Sequence, residues 1–278
     1  MGHAVLALLS FALAIWLGWH HPLSPSLVLL FCFGYGALAA WRPVAALALL
    51  PMLLPAIDLM PWTGWLTFEE FDIAVLALAA GCHARLAWDR ASPVHRSGAS
   101  ALKTLVLLTY AGALGVSLVR GFHDAGGFVF GWWQGYQEPM NSVRLAKSFF
   151  LAWLVLPLWT AALRRAPERS ARGFALGMAG GLGVVGLLLL WERWANTGLA
   201  NFSSDYRSTA LFWEMHVGGA ALDGFLALTM PFALREWLRA GSARRWFLAA
   251  GLVLIGAYGC LTTFSRDVYL GVPAALIT

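Results

Sequence analysis

The stretch Leu163-Arg164-Arg165-Ala166-Pro167-Glu168-Arg169-Ser170-Ala171-Arg172 decides the fold. It sets four arginines and one glutamate between two apolar runs, Val143 to Leu163 and Gly173 to Trp191. A run of about 20 apolar residues crosses a hydrocarbon core about 30 Å thick. Short loops rich in Lys and Arg stay on the cytoplasmic side of such a membrane. Working outward, the same kind of gap recurs at every second break between apolar runs. One holds Arg42; one holds Arg85, Arg90, Arg96 and Lys103; one holds Arg235, Arg239, Arg244 and Arg245. These four gaps gather thirteen of the nineteen cations and only the acids Asp89, Glu168 and Glu236, a net charge of +10. The other gaps and the run interiors hold six cations against eleven acids, a net of −5. The overall +5 is therefore the sum of two opposite faces and not the footprint of a nucleic-acid binder.

Composition agrees. A chain with 60% hydrophobic and 12% charged residues lies outside the soluble range. Nine spans are expected: Ala4 to Trp19, Pro25 to Trp41, Pro43 to Leu59, Phe71 to Trp88, Leu102 to Val119, Val143 to Leu163, Gly173 to Trp191, Thr209 to Leu234 and Trp246 to Phe264. A tenth begins near Val268, and the expectation is that the sequence stops inside it at Thr278. The third should bend or break near Pro51 and Pro55, because proline removes a helix hydrogen bond. The first lacks a basic leader and a small-residue cleavage site, so it reads as a retained span. The fold class is thus all-α, a polytopic transmembrane helix bundle with its N-terminus cytoplasmic, forming one membrane-embedded domain over residues 1–278.

Trp19, Trp41, Trp62, Trp65, Trp88, Trp191, Trp194, Trp237 and Trp246 fall near the expected interfaces, where amphipathic rings meet headgroups. Gly173-x-x-x-Gly177 lets helices approach closely and reads as internal packing rather than dimerisation. Cys32, Cys82 and Cys260 lie in apolar runs without metal-ligand spacing, so they read as small buried side chains. No cofactor and no metal site is indicated.

Charges in or beside spans are costly and mark candidate function. Glu69-Glu70-Phe71-Asp72 reads either as acid/base or cation-binding chemistry or as a helix start, where acids favour the dipole. Asn141, Arg144, Lys147 and Ser148 share one helix face at an exterior entry, against both the positive-inside rule and the dipole. That points to an anionic partner: a lipid-linked phosphate, or Glu69, Glu70 or Glu138. Arg207 stands before the eighth span, which carries Glu214, His216 and Asp223; the last two share a face and are candidates for proton transfer or for structural roles.

Leu261-Thr262-Thr263-Phe264-Ser265-Arg266-Asp267-Val268-Tyr269-Leu270-Gly271 resembles the Thr-x-Ser-Arg-Gly turn of O-antigen ligases and polymerase-related membrane proteins, with Asp267 in place of the Gly. Tyr206 to Gly219, and Asn141 to Lys147, resemble segments of related exopolysaccharide proteins. The resemblance implies glycan transfer from an undecaprenyl pyrophosphate carrier to a lipid or glycan acceptor at the periplasmic face of the bacterial inner membrane. It assigns Arg266 to the pyrophosphate; Arg207, Arg144 and Lys147 join it by position. It places the family's usual base in a loop that would follow Thr278. The candidate catalytic residues within the chain are His216 and Asp223. The alternatives are a proton-coupled transporter or lipid flippase using those two residues, and a non-catalytic polysaccharide-assembly protein.

Overall fold

The computed structural model describes residues 2–65, 67–89, 101–203, 206–212 and 220–277. The described residues are 78% helical and form no strand. Contacts divide the chain into two compact units: Met1–Pro43 with Trp62–Arg165, and Val44–Pro61 with Ala166–Thr278.

The first unit is built around one buried helix. Its elements are α1 (Gly2–Trp19), α2 (Pro25–Trp41), α5 (Glu70–Trp88), α6 (Ala101–Asp124) and α7 (Met140–Arg165), with a short turn α4 (Met60–Thr63) at its edge. Helix α5 is buried continuously from Asp72 to His83 because α1 and α2 cover it and α7 closes another side. An all-round apolar sequence such as Ile73 to Cys82 is what a central helix requires. Gly81 permits the closest approach: a Cβ there would lie 2.1 Å from the Gly36 carbonyl oxygen on α2. Helix α6 packs on α7 and turns most of its apolar surface outward.

The second unit is α3 (Pro43–Leu53), α8 (Pro167–Asn196), α9 (Ala220–Leu238), α10 (Ala243–Thr262) and α11 (Arg266–Ile277). Its core joins Leu182, Val185 and Leu189 of α8 to Leu222, Phe225, Leu226 and Met230 of α9 and to Val268 and Val272 of α11. Three glycines of α8 face α3: Gly173 meets Val44, Gly177 meets the Ala48 carbonyl and Gly181 meets that of Pro51. The Gly173-x-x-x-Gly177 pair is thus spent on packing inside the unit.

Among the described residues, six helices are long and apolar enough to cross a membrane: α1, α5, α6 from Thr104, α7, α8 and α10. The protein is a membrane protein of the helical class. Helices α2 and α3, at 17 and 11 residues, are shorter than a full passage. Helix α3 ends at Leu53, just past Pro51, where the chain turns through Thr-free, proline-bounded backbone rather than reaching Leu59.

Two expectations change. The eighth apolar run does not start a helix at Thr209: Thr209 to Leu211 form a turn, and α9 is described from Ala220. Asp223 lies four residues into α9 as described from Ala220. Trp65 is not an interfacial ring. It is fully buried, edge-on to His21 at 5.5 Å and tilted against Trp132 at 5.4 Å. Trp19, Trp41, Trp62, Trp88, Trp191, Trp194 and Trp246 are all exposed, as an aromatic belt requires.

Candidate functional site

The second unit brings three of the named residues to one turn. Helix α10 ends at Thr262 and α11 begins at Arg266, and Phe264 between them takes φ +49°. A bulky residue in that region is strained. The turn's carbonyls are taken by the segment before α9: Ser208 N–H donates to Thr262 O at 3.2 Å, and Arg207 Nε donates to Thr263 O at 2.7 Å. Arg207 also holds Nη2 3.6 Å from Asp223 Oδ2, and Ser265 hydrogen-bonds the same carboxylate. Asp223 is buried, whereas the Arg207 side chain is 41% exposed and Arg266, in the first turn of α11, is exposed. The result is a buried carboxylate faced by a partly exposed arginine, at a turn that leads into a second exposed arginine of the same unit. His216 lies outside the described residues, as does Glu214.

Two residues that sequence reasoning missed hold this segment in place. Glu192 and Arg193 close the last turns of α8, and both are buried. Gly198, at φ +88°, ends the helix by donating to Arg193 O at 2.7 Å. The Glu192 carboxylate accepts from Tyr206 Oη at 2.9 Å, Thr209 N–H at 3.0 Å and Ala210 N–H at 2.7 Å. Those bonds stabilise Ala210 at φ +53°. Arg193 donates to Tyr206 O at 2.9 Å and to Asn201 O. Burial, then the hydrogen bond to Glu192 and its charge, push the Tyr206 hydroxyl up to about 12. The available signal was the adjacent Glu-Arg pair at the end of an apolar run, but no spacing rule says which loop such a pair will catch.

The first unit disposes of the other cations differently. Lys147 is 10% exposed and lies 2.6 Å from Asp72 Oδ2 and 3.1 Å from Glu69 Oε1. Asp72 Oδ2 also accepts the Glu69 N–H at 2.8 Å, so the acids form the capping box of α5 while neutralising the lysine. The expected helix start is there, but it is buried rather than solvated. Glu70 pairs with His21 at 2.9 Å, their side chains 8% and 2% exposed. His21 Nδ1 accepts the Ser24 N–H at 3.3 Å, so Nε2 carries the proton donated to Glu70. Both ring nitrogens are occupied, which makes this a tether between α1 and α5 rather than a proton shuttle. Arg144 stacks on the Tyr136 ring at 4.4 Å and donates to Asn141 Oδ1 at 3.2 Å. The segment 125–139 is pinned by Trp132, which packs on Trp16, His20 and Phe130 at 5.0–5.1 Å.

Among the described residues, no group of three or more His, Cys, Asp or Glu is placed to hold a metal ion. No protein-family model, curated protein or solved structure matches this chain.

Proposed function

We propose that this chain belongs to the O-antigen ligase-like class of bacterial inner-membrane proteins. It would transfer a glycan from an undecaprenyl pyrophosphate carrier to a lipid or glycan acceptor at the periplasmic surface. In this reading the chain makes nine passages from a cytoplasmic N-terminus, the shorter or more charged α2, α3 and α9 completing those of the six long helices. The turn at Ser265 and Arg266 and the segment carrying Arg207 then face the periplasm.

The single observation that carries the reading is that Arg207 donates to the Thr263 carbonyl of the strained Thr263-Phe264-Ser265 turn, the turn that leads into Arg266 and holds the residues of the resemblance. A leaving diphosphate gains negative charge as its bond to the sugar breaks, and fixed guanidinium groups stabilise that charge where it develops. Arg grips phosphate oxygens with two parallel donors. The exposed Arg266 and the half-exposed Arg207 have donors to offer. Lys147 drops out of the clamp, since its ammonium is committed to Asp72 and Glu69. Arg144, in the other unit, keeps a role as a separate contact to phosphate or glycan.

Glycan transfer in cells tests the reading. Arg207→Ala and Arg266→Ala should each lower transfer about a hundredfold at unchanged protein level. Full activity in both ends the proposal. A transport reading is favoured by one feature, the buried Asp223 carboxylate beside a helix break. Proton-dependent uptake abolished by Asp223→Asn, with glycan transfer intact, would select it.

A further inference from the structure

Among the described residues, two buried side-chain oxygens at the α9–α10–α11 cluster have no hydrogen-bond partner: Asp223 Oδ1 and Ser208 Oγ. Asp223 is 6% exposed and Ser208 1%. Folded proteins pair nearly all such groups, so an exception asks for a reason. Both residues hang on the same turn. Ser208 is tied through its N–H to Thr262 O, and Asp223 is tied to Ser265 and faces Arg207 through Oδ2. The second carboxylate oxygen is left over. Among the described residues, the two non-glycine residues at positive φ, Ala210 and Phe264, flank this arrangement in sequence. Strained backbone of that kind collects at sites where a ligand is held.

The chemistry of the free atoms narrows the ligand. An ionised carboxylate oxygen only accepts, so its partner must donate; a serine hydroxyl both donates and accepts. A sugar offers hydroxyl groups that suit both, donating to the carboxylate and either donating to or accepting from the serine. A phosphate oxygen does not, because it would meet the carboxylate as a like charge. A metal cation is opposed by the Arg207 guanidinium 3.6 Å from the same carboxylate.

We infer that Asp223 Oδ1 and Ser208 Oγ form the acceptor subsite, binding a hydroxyl group of a sugar, and that Asp223 takes its proton during transfer. The inference rests on the glycosyl-transfer reading above. The acceptor's O–H proton passes to Asp223 Oδ1. The oxygen pair so freed forms the new bond to the anomeric carbon of the carried glycan. The bond from that carbon to the diphosphate oxygen breaks, and its electron pair leaves with the diphosphate, whose added charge Arg207 and Arg266 receive.

The full chain in lipid nanodiscs tests this with two separate probes. Glucose, galactose and N-acetylglucosamine report the hydroxyl subsite, and farnesyl diphosphate reports the cations. At least one sugar should bind the wild type. Asp223→Asn and Ser208→Ala should each weaken it about tenfold, one lost hydrogen bond to a charged or buried group. Farnesyl diphosphate affinity should stay within about threefold or tighten, which also certifies the fold. Should Asp223→Asn lose both probes, Ser208→Ala, which removes a single oxygen, decides by the same criterion. The inference is overturned if no sugar binds the wild type, or if sugar affinity is unchanged in Ser208→Ala and Asp223→Asn. The clamp fails separately: there, Arg207→Ala and Arg266→Ala leave farnesyl diphosphate affinity unchanged.

Discussion

Lys147 shows what a single side chain costs when its partners are removed from water with it. Its ammonium neutralises Asp72 at 2.6 Å and Glu69 at 3.1 Å, and it is nearly buried. Replacing one partner of a buried pair leaves an uncompensated charge and costs about 3–5 kcal/mol, whereas replacing the set by apolar groups is often close to neutral. Lys147→Met should therefore lower thermal stability in detergent sharply, and the double change Lys147→Met with Asp72→Asn should recover a large part of the loss. A double variant no better than the single one would show that the pair is not coupled. The sequence marked Lys147 as a cation in need of an anion, and it even offered Glu69 among the candidates. It did not name Asp72, 75 residues away, because charge patterning registers an imbalance without the geometry that resolves it. The same blindness hid Glu192, whose carboxylate is satisfied by backbone N–H groups at Thr209 and Ala210 that carry no signature of their own.

At the scale of elements, glycine position decides which helices touch. Gly177 of α8 faces the Ala48 carbonyl of α3, and an added Cβ would stand 2.1 Å from that oxygen. Backbone cannot yield as a flexible side chain does, so Gly177→Ala should destabilise by about 1–3 kcal/mol. Gly251 of α10 meets nothing within 4 Å, and Gly251→Ala should instead gain up to about 1 kcal/mol from helix propensity. Thermal unfolding of the two variants side by side checks both signs; equal shifts would contradict the packing. Most helices were legible from apolar runs and their breakers, including the stop of α3 near Pro51. The run at Thr209-Ala210-Leu211-Phe212 misled, since hydropathy cannot see that Glu192 captures two of its N–H groups and turns the chain. Asp223 was legible as a candidate because a carboxylate in an apolar run is costly.

At the scale of the whole chain, the proposed orientation rests on charge alone, because length and apolarity count passages without giving them direction. Six helices pass by length, and the alternation of basic gaps supplies the rest of the map. That map places residues of the segment 125–139 and of the α10–α11 turn outside, and the α7–α8 and α9–α10 connections in the cytoplasm. Four exposed positions test it: Phe128 and Asp267 for the outside, Ala171 and Gly241 for the inside. In a background without Cys32, Cys82 and Cys260, single cysteines at those positions would be treated with a membrane-impermeant maleimide in spheroplasts. Phe128→Cys and Asp267→Cys should react at once; Ala171→Cys and Gly241→Cys should react only after detergent opens the membrane. The reversed pattern would carry Arg207 and Arg266 to the cytoplasmic face, away from a periplasmic carrier. A split in which Phe128→Cys and Asp267→Cys disagree would instead mean that a passage between them, α9 first of all, is not completed, and the count of nine would fall with it.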